Sequence, residues 1–477
     1  MSDAGPNGFQ PIRLLDVELA GPIPEIAAGA ESSGVPFPSG RYERALTLVR
    51  LHGRPLGTVP VACPGGWLAA KRLAAAIWEE LGPSINAHLR EDGLLQLSEL
   101  NEEGVAPAGS TPRCLAWREP LLAAAPFVSI VIPTRDRAAG LDATLRSMLA
   151  LAYPRFEIVV VDNAPRTDAT RRVVASFAGT DSSVRARCVR EDRPGISWAK
   201  NRGLLEADGE IVAFTDDDVI VDPHWLTELV RGFSAGENVA CVTGMITPLE
   251  LETPAQILIE RFGGFSKGFS RRVFDLDRHH PGGRLYPYTA GIFGSGANMA
   301  FRTEVLRALG GFDPALGAGG PAMGGEDLAI CFKVVMSGYQ IAYEPAALIR
   351  HSHHREYATL RRQIYCYGVG LAAYLVETVF ERPDLLPGLL LRLPGGISYA
   401  LSASSEKNRN KRRASVGPPY PRELTIDELR GMLVGPIAYL RGRRRSRALA
   451  ARPSTATGAG ESRTPADGSR PASELPA

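Results

Sequence analysis

The sequence predicts an α/β protein with a small N-terminal α+β unit and a helical C-terminal extension. Three apolar runs, at 127–133, 156–163 and 210–218, are short and rich in β-branched residues. Such runs are typical of strands buried on both faces of a sheet. Segments with helical spacing of apolar residues separate the runs, and the joins are short. Alternating strands and helices of this kind indicate parallel strands.

Bulk properties exclude several classes of protein. The 477 residues suffice for two or three domains, and a net charge of +2 argues against nucleic acid as a partner. The six cysteines are scattered without a CxxC pair, which argues against a zinc site or disulfide scaffold and fits a reducing compartment. The N-terminal sequence has no apolar region typical of a signal peptide, and no apolar run is long enough to span a membrane. We therefore expect a cytoplasmic protein.

The N-terminal part is predicted to contain an irregular segment (1–40) and a small α+β accessory domain (41–110). The sequence at 52–55, His-Gly-Arg-Pro, lies between two β-rich runs and predicts a hairpin turn. A helical pattern follows, and we expect that helix to end at Gly82. Nothing in this unit indicates chemistry, which favours a structural or docking module.

The main domain is expected at 120–360, and each of its first three strands ends in polar residues. These are the Thr-Arg-Asp sequence at 134–136, Asp-Asn at 162–163, and three aspartates at 216–218. Ligands bind at the carboxyl ends of strands in such sheets. The three strand ends therefore predict a single site.

The triple aspartate favours a divalent metal. Adjacent buried carboxylates repel one another, and Mg²⁺ or Mn²⁺ would resolve this with oxygen ligands. Since side chains alternate along a strand, Asp216 and Asp218 are expected on one side. Helix capping with solvation is the alternative, although only Asp222 is needed for it. No phosphate-binding glycine loop competes, because the GSGANM sequence at 294–299 lacks the third glycine of a dinucleotide motif.

Two later features extend the predicted site. Glu326 and Asp327 begin a helix, where the helix dipole alone would favour them, but where a carboxylate could also serve as a general base. His351 and His353 follow a strand and would share one face if it continues. Either a surface role or a metal or diphosphate contact fits these histidines.

Five stretches in order resemble family 2 glycosyltransferases. They are VSIVIPTRDR, FEIVVVDNAP, GISWAKNRGLLEADGEIVAFTDDD, GANMAFR with LRALGGFDPAL, and GGEDLAICFKVVMSGYQIAYEPAALIRH, spanning about 127–355. The resemblance implies a GT-A fold with a Rossmann-like mixed sheet. It also implies metal-dependent, inverting transfer of a sugar from a nucleotide-diphosphate donor to an acceptor hydroxyl, in the making of cell-envelope polysaccharide or another glycoconjugate.

The resemblance further implies roles for individual residues. Implied donor-binding residues are Pro133, Thr134, Arg135, Asp162, Asp216 and Asp217. Implied ligands of Mn²⁺ or Mg²⁺ are Asp216, Asp218 and His351. Asp327 is implied as the catalytic base, with Glu326 and Asn298 on the acceptor side. Lys200 departs from the family pattern, in which an arginine often stands at that place.

Two other functions stay open at this point. A haloacid-dehalogenase-like phosphotransferase also places aspartates after an apolar strand, but on the first strand, whereas this cluster follows the third. A catalytically silent sugar-binding protein is the other alternative. The acceptor is open among a glycan, a lipid-linked glycan and a small molecule.

The C-terminal region is predicted as a helical, basic extension (361–446) and a disordered tail (447–477). Its basic sequences EKNRNKRR and LRGRRRSR stand beside apolar helices. They are explained either by solvated charge or by peripheral contact with anionic lipid at the inner membrane face. The tail is poor in apolar residues.

Overall fold

The protein is described by a computed structural model that covers residues 9–27, 42–105, 109, 111–178, 184–263, 265, 267–402, 405, 408–409, 411 and 418–451. Its strands are β1 (Arg13–Glu18), β2 (Arg44–Leu51), β3 (Arg54–Ala62), β4 (Val128–Thr134), β5 (Phe156–Asn163), β6 (Arg185–Glu191), β7 (Ile211–Thr215), β8 (Val219–Val221), β9 (Val239–Pro248), β10 (Arg272–Phe274), β11 (Asn298–Arg302) and β12 (Gln340–His351). Its helices are α1 (Ala70–Glu91), α2 (Arg118–Ala123), α3 (Ala138–Met148), α4 (Ala169–Ala178), α5 (Ile196–Glu206), α6 (Trp225–Gly232), α7 (Pro254–Gly263), α8 (Thr303–Ala308), α9 (Glu326–Met336), α10 (Tyr357–Glu381), α11 (Leu386–Leu401) and α12 (Arg422–Ala450).

A mixed sheet forms the centre of the main domain. Its strand order is β10-β12-β9-β11-β7-β4-β5-β6, with β8 paired to β12. Strands β4, β5 and β7 are parallel, as their apolar runs predict. Strand β6 is also parallel to β5, and β11 runs antiparallel between β7 and β9. The sequence argument missed β6, because this edge strand is only partly buried and lacks a continuous apolar run.

Helices cover both faces of this sheet. One apolar cluster contains side chains from α3, α4 and α6, and a second contains side chains from α5, α8, α9 and α10. Alternate residues of β4, β5 and β7 enter the two clusters. This two-sided burial explains why the three strands are apolar throughout.

The N-terminal unit is a second, three-stranded sheet of order β1-β2-β3, packed on α1. The hairpin predicted around 52–55 is confirmed, but the irregular segment predicted for 1–40 contains strand β1. The predicted helix end at Gly82 is wrong, since α1 continues through Pro83. Ile85 and Leu89 beyond the proline are fully buried, and their burial offsets the local cost of the proline.

The C-terminal extension is helical, and α12 packs along α10. A β-carbon built on Gly368 of α10 would lie 2.0 Å from the carbonyl oxygen of Glu428, and one on Gly431 would lie 2.2 Å from that of Tyr365. The two backbones therefore touch directly. Helix α12 extends to Ala450, so it includes the first residues of the predicted tail; residues 452–477 lie outside the described part.

Across the described stretches, no helix combines the length and the apolar character needed to cross a bilayer.

Candidate active site

The predicted metal ligands meet at one edge of the sheet. Asp216 to Asp218 directly follow β7 and lead into β8, whose Val219 pairs with His351 at the end of β12. Nε2 of His351 lies 3.3 Å from Oδ1 of Asp218 and 3.8 Å from Oδ2 of Asp216. One donor atom from each of the three residues lies within 4.8 Å of the others.

These residues fit a divalent cation. Oδ1 of Asp218 is buried and has no hydrogen-bond partner among the described residues, so its lone pairs are available. Two carboxylates and one imidazole make a donor set of the kind that Mn²⁺ accepts. Burial acts to lower the pKa of His351, but its contact with Asp216 and the charges of both aspartates outweigh burial and raise that pKa. Phe265 stacks on the ring and fixes its plane.

Asp217 faces a different set of groups. Its Oδ2 accepts a hydrogen bond from Thr134 Oγ1 at 2.6 Å, and its Oδ1 lies 2.8 Å from Arg137 NH1. Burial raises the pKa of Asp217 to about 6. The three aspartates lie in the turn between β7 and β8, and this turn, not alternation along a strand, directs Asp217 away from Asp216 and Asp218. Asp217 contacts the end of β4 and is not one of the three candidate metal ligands (Asp216, Asp218 and His351, the metal group).

Arg137 is a site residue that the sequence argument missed. Its NH2 lies 2.7 Å from Oδ2 of Asp218, so one guanidinium bridges Asp217 and Asp218. Arg135, the arginine chosen from the same TRDR sequence, is exposed like Arg137, but among the described residues only Arg137 pairs with Asp217 and Asp218. Both arginines follow β4, and the sequence held no signal to prefer the second.

Asp162 and Thr134 lie on neighbouring strands in register with each other. Asp162 is buried, and its Oδ1 has no hydrogen-bond partner within the described residues. Burial raises the pKa of Asp162. A hydrogen bond from Thr170 acts to lower this pKa, and the negative charge of Asp136 acts to raise it. An unsatisfied buried acceptor here suits the N–H group of a nucleotide base. Pro133, also buried, belongs to the same strand end.

Glu326 and Asp327 begin α9, as predicted. Oδ2 of Asp327 accepts a hydrogen bond from the Gly296 backbone N–H at 3.0 Å. Glu326 pairs with Nζ of Lys200 at 3.1 Å. Burial acts to lower the pKa of Lys200, but the charges of Glu326, Asp216 and Asp327 outweigh burial and raise it. Lys200 is therefore the cation between the metal group and Asp327.

Asn298 does not fit its predicted acceptor-side role. It is fully buried in β11, and its Oδ1 accepts a hydrogen bond from Trp225 Nε1 at 2.9 Å. Its Nδ2 donates to the carbonyl oxygens of Met245 and Ala347 at 2.9 and 2.8 Å. These bonds use both amide hydrogens and the carbonyl. Asn298 joins the strands of the sheet and has no group left for an acceptor.

Comparison with known proteins identifies the domain. Residues 129–310 match the sequence profile described as Glycosyl transferase family 2. The chain is similar to the glucosyl-dolichyl phosphate glucuronosyltransferase of Haloferax volcanii, with 25% identity over 47% of this chain and 68% of that protein. It is also similar to the pre-mycofactocin glycosyltransferase of Mycobacterium tuberculosis, with 28% identity over 47% of this chain and 43% of that protein.

A solved structure resembles the chain more distantly. It is a mannosyltransferase from Pyrobaculum calidifontis in complex with GDP-Man and Mn²⁺, with 22% identity, a TM-score of 0.41, and coverage of 69% of this chain and 76% of that one. The chain spans 24% to 68% of the length of the first curated relatives that it matches. The mixed α/β sheet agrees with the predicted GT-A class. The chain therefore carries a glycosyltransferase domain of family 2.

Proposed function

We propose that the protein transfers a sugar from a nucleotide-diphosphate donor to an acceptor hydroxyl, with inversion and with a divalent metal. The observation that carries this proposal is the convergence of Asp216, Asp218 and His351 beside the buried pair of Lys200 and Glu326. The carboxylates of Asp216 and Asp218 would attract a divalent ion, and the ion would offset the negative charge of a diphosphate.

The proposed roles follow from the contacts. Asp216, Asp218 and His351 hold the ion, which when bound supplies positive charge against the departing diphosphate. Asp162 and Thr134 lie at the strand ends where the nucleoside would bind, and Lys200 adds a fixed charge behind the metal group. Asp327 removes the proton of the acceptor hydroxyl. The acceptor oxygen then bonds to the anomeric carbon as the bond to the diphosphate breaks.

A panel of nucleotide sugars with Mn²⁺ or Mg²⁺, scored by nucleotide release, tests the proposal. We expect Asp218→Asn to abolish metal-dependent release, and Asp142→Asn, at an exposed aspartate of α3, to leave it unchanged. Full activity in excess chelator would overturn the metal assignment. The anomeric configuration of the product, read by NMR, tests inversion; retention would refute it. Release of phosphate from simple phosphoesters would instead support the phosphotransferase alternative, which the family match does not favour.

We also propose that the C-terminal extension contacts an anionic membrane surface. Leu433, Ile437 and Leu440 follow one another at helical spacing on α12 and are 80%, 55% and 44% exposed. Exposed arginines, Arg441 and Arg444, come directly after them. An exposed apolar stripe beside basic residues suits the interface of an anionic bilayer. The Haloferax volcanii relative has glucosyl-dolichyl phosphate in its name, and a lipid-linked acceptor would make such contact useful.

Sedimentation with vesicles tests this contact. We expect binding to vesicles of phosphatidylcholine with phosphatidylserine, weakened by salt, and little binding to phosphatidylcholine alone. Changing Leu433, Ile437 and Leu440 to serine should reduce the bound fraction, whereas serine at exposed Leu95 in the accessory domain should not. Absence of salt-sensitive binding would remove the membrane proposal and leave the proposed transfer reaction untouched.

A further inference from the structure

A second cluster of metal-ligating side chains lies in the N-terminal unit, outside the transferase domain. It consists of His52, His88, Asp92 and Cys114, and one donor atom from each lies within 4.8 Å of all the others. His52 is in the turn between β2 and β3, His88 and Asp92 are at the end of α1, and Cys114 is in a short 3₁₀ turn before α2. The chain thus brings three separate segments to one point.

The distances among the two nitrogens and the sulfur match the edges of a tetrahedral site. Nδ1 of His52 and Nε2 of His88 are 3.2 Å apart, and Sγ of Cys114 is 3.5 and 3.6 Å from them. Oδ2 of Asp92 lies 2.8 Å from His52, 3.2 Å from His88 and 3.1 Å from Cys114. Around tetrahedral zinc, with bonds of about 2.0 Å to nitrogen and about 2.3 Å to sulfur, the edges would be about 3.3 Å between nitrogens and about 3.5 Å from nitrogen to sulfur. The Asp92 oxygen lies closer to its neighbours than these edges.

Hydrogen bonds can hold these side chains together without a cation. Oδ2 of Asp92 accepts from the Cys114 thiol and lies 2.8 Å from Nδ1 of His52, which in turn faces Nε2 of His88 at 3.2 Å. A cation at the centre would replace these bonds by accepting a lone pair from each of the four atoms.

The surrounding contacts hold the ligands in this arrangement. Oδ1 of Asp92 accepts the Cys114 backbone N–H at 2.8 Å, which turns Oδ2 toward the cluster. His52 has a left-handed backbone with a φ of 55°, and Glu18 accepts its N–H and that of Gly53, each at 2.8 Å. His88 and Asp92, four residues apart, project from one side of α1. Partners that fix ligand orientation are typical of metal sites.

We propose that His52, His88, Asp92 and Cys114 form a structural zinc site that fastens the accessory domain to the chain entering the transferase domain. A thiolate with two imidazoles selects zinc over Mg²⁺ or Mn²⁺, and four protein ligands leave no open position for catalysis. On binding, the Cys114 thiol releases one proton to solvent. The sequence argument against zinc considered only CxxC pairs, whereas these four residues are distant in the chain.

The position of the cluster explains this fastening role. A cavity of about 120 Å³ adjoins His52 and Cys114 and is closed on its other side by Glu228 and Arg231 of α6. Just after Cys114, the ring of Trp117 lies under the Arg231 guanidinium at 4.1 Å. The 3₁₀ turn held by the ion is thus also the segment that packs on the transferase domain.

Cobalt substitution in the full chain tests the proposal. Zinc content of the isolated protein should be one ion per chain, and after chelation Co²⁺ should give the thiolate charge-transfer band and the strong visible bands of a tetrahedral site. Cys114→Ser should lose the charge-transfer band, and Cys188→Ser, at a partly buried cysteine of β6, should keep it. Asp218→Asn should keep the band too, which separates this site from the proposed catalytic metal.

If Cys114→Ser fails to fold, the cobalt spectrum of the unmutated protein alone tests the proposed zinc site. Absence of a thiolate–cobalt band in it would overturn the proposal, as would an identical band in a folded Cys114→Ser protein. A chelator should lower the melting temperature of the unmutated protein and of Asp218→Asn alike, because a structural ion contributes to folding. No shift in either protein would contradict the structural role.

Discussion

Lys200 and Glu326 form an ion pair of 3.1 Å in which the lysine side chain is 1% exposed. The charges of Asp216 and Asp327 act on the same ammonium group. A single buried cation therefore balances carboxylates from both halves of the candidate site. The lysine that departs from the family pattern has a clear electrostatic role.

Lys200→Met should destabilise the fold strongly, because it leaves Glu326 buried and unpaired. Breaking such a pair costs about 3–5 kcal/mol. The double variant Lys200→Met/Glu326→Leu should recover much of this loss, since the carboxylate that pairs directly with Lys200 is removed with it. Chemical denaturation measures both free energies of unfolding. Lys333→Met, at a partly exposed lysine of α9, is the control and should change stability little. Equal losses in the single and double variants would contradict the ion-pair explanation.

Asp327→Asn should reduce kcat by about 10²–10⁴-fold, the usual contribution of general-base catalysis, while donor binding is retained. An asparagine still accepts the Gly296 N–H, so the local fold should survive. Calorimetry with the nucleotide donor and steady-state kinetics give the two readouts. If donor affinity falls as far as kcat does, Asp327 is a donor ligand and not the base.

The sequence predicts most of this site because its strands are buried on both faces, so β4, β5 and β7 appear as continuous apolar runs with polar ends. Asp216 and Asp218 do lie together, but the three aspartates form a turn after β7, so strand alternation is not the reason. Arg137 and Lys200 could not be predicted, since their roles depend on which carboxylates the fold places beside them. Asn298 misled the argument because a motif position does not reveal that an amide is saturated by backbone groups.

Gly370→Ala should lower kcat, although Gly370 lies on α10 and touches no predicted ligand. A β-carbon at this position would lie 2.8 Å from the carbonyl carbon of Gly324 and 2.9 Å from the nitrogen of Gly325, which caps α9 directly before Glu326. Overpacking typically costs about 1–3 kcal/mol and would here shift the start of α9. Gly396→Ala on α11 meets no atom within 4 Å and should be neutral or slightly stabilising. A loss of stability with unchanged kcat would show that α10 does not position Asp327.

Glu377→Gln should make stability less dependent on pH. The pKa of Glu377 is raised from 4.5 to about 8, mainly by burial. The negative charges of Asp313 and Glu381 also raise this pKa, whereas the positive charge of Lys333 lowers it. Because the folded-state pKa is the higher one, this stability is fully present below pH 4.5 and is lost as pH rises through about 8. The shift amounts to at most about 5 kcal/mol, since one pKa unit corresponds to about 1.4 kcal/mol.

Denaturation of both proteins at about pH 5 and about pH 9 measures this effect. The unmutated protein should lose more stability between these pH values than Glu377→Gln does. Glu304→Gln, at an exposed glutamate of α8, should follow the unmutated protein. Parallel curves for all three proteins would refute the assignment to Glu377.

The direct backbone contact between α10 and α12 has a consequence for any shortened form of this protein. A chain cut before Arg422 would uncover the flank of α10 that Gly368 leaves without a side chain, and water would meet bare peptide groups there. Helix α10 also contacts the loop before α9, because its Gly370 packs against Gly324 and Gly325. Helix α12 therefore supports α10, and through α10 it supports the residues that begin α9. A transferase shortened to the residues that match the family should be a weak enzyme.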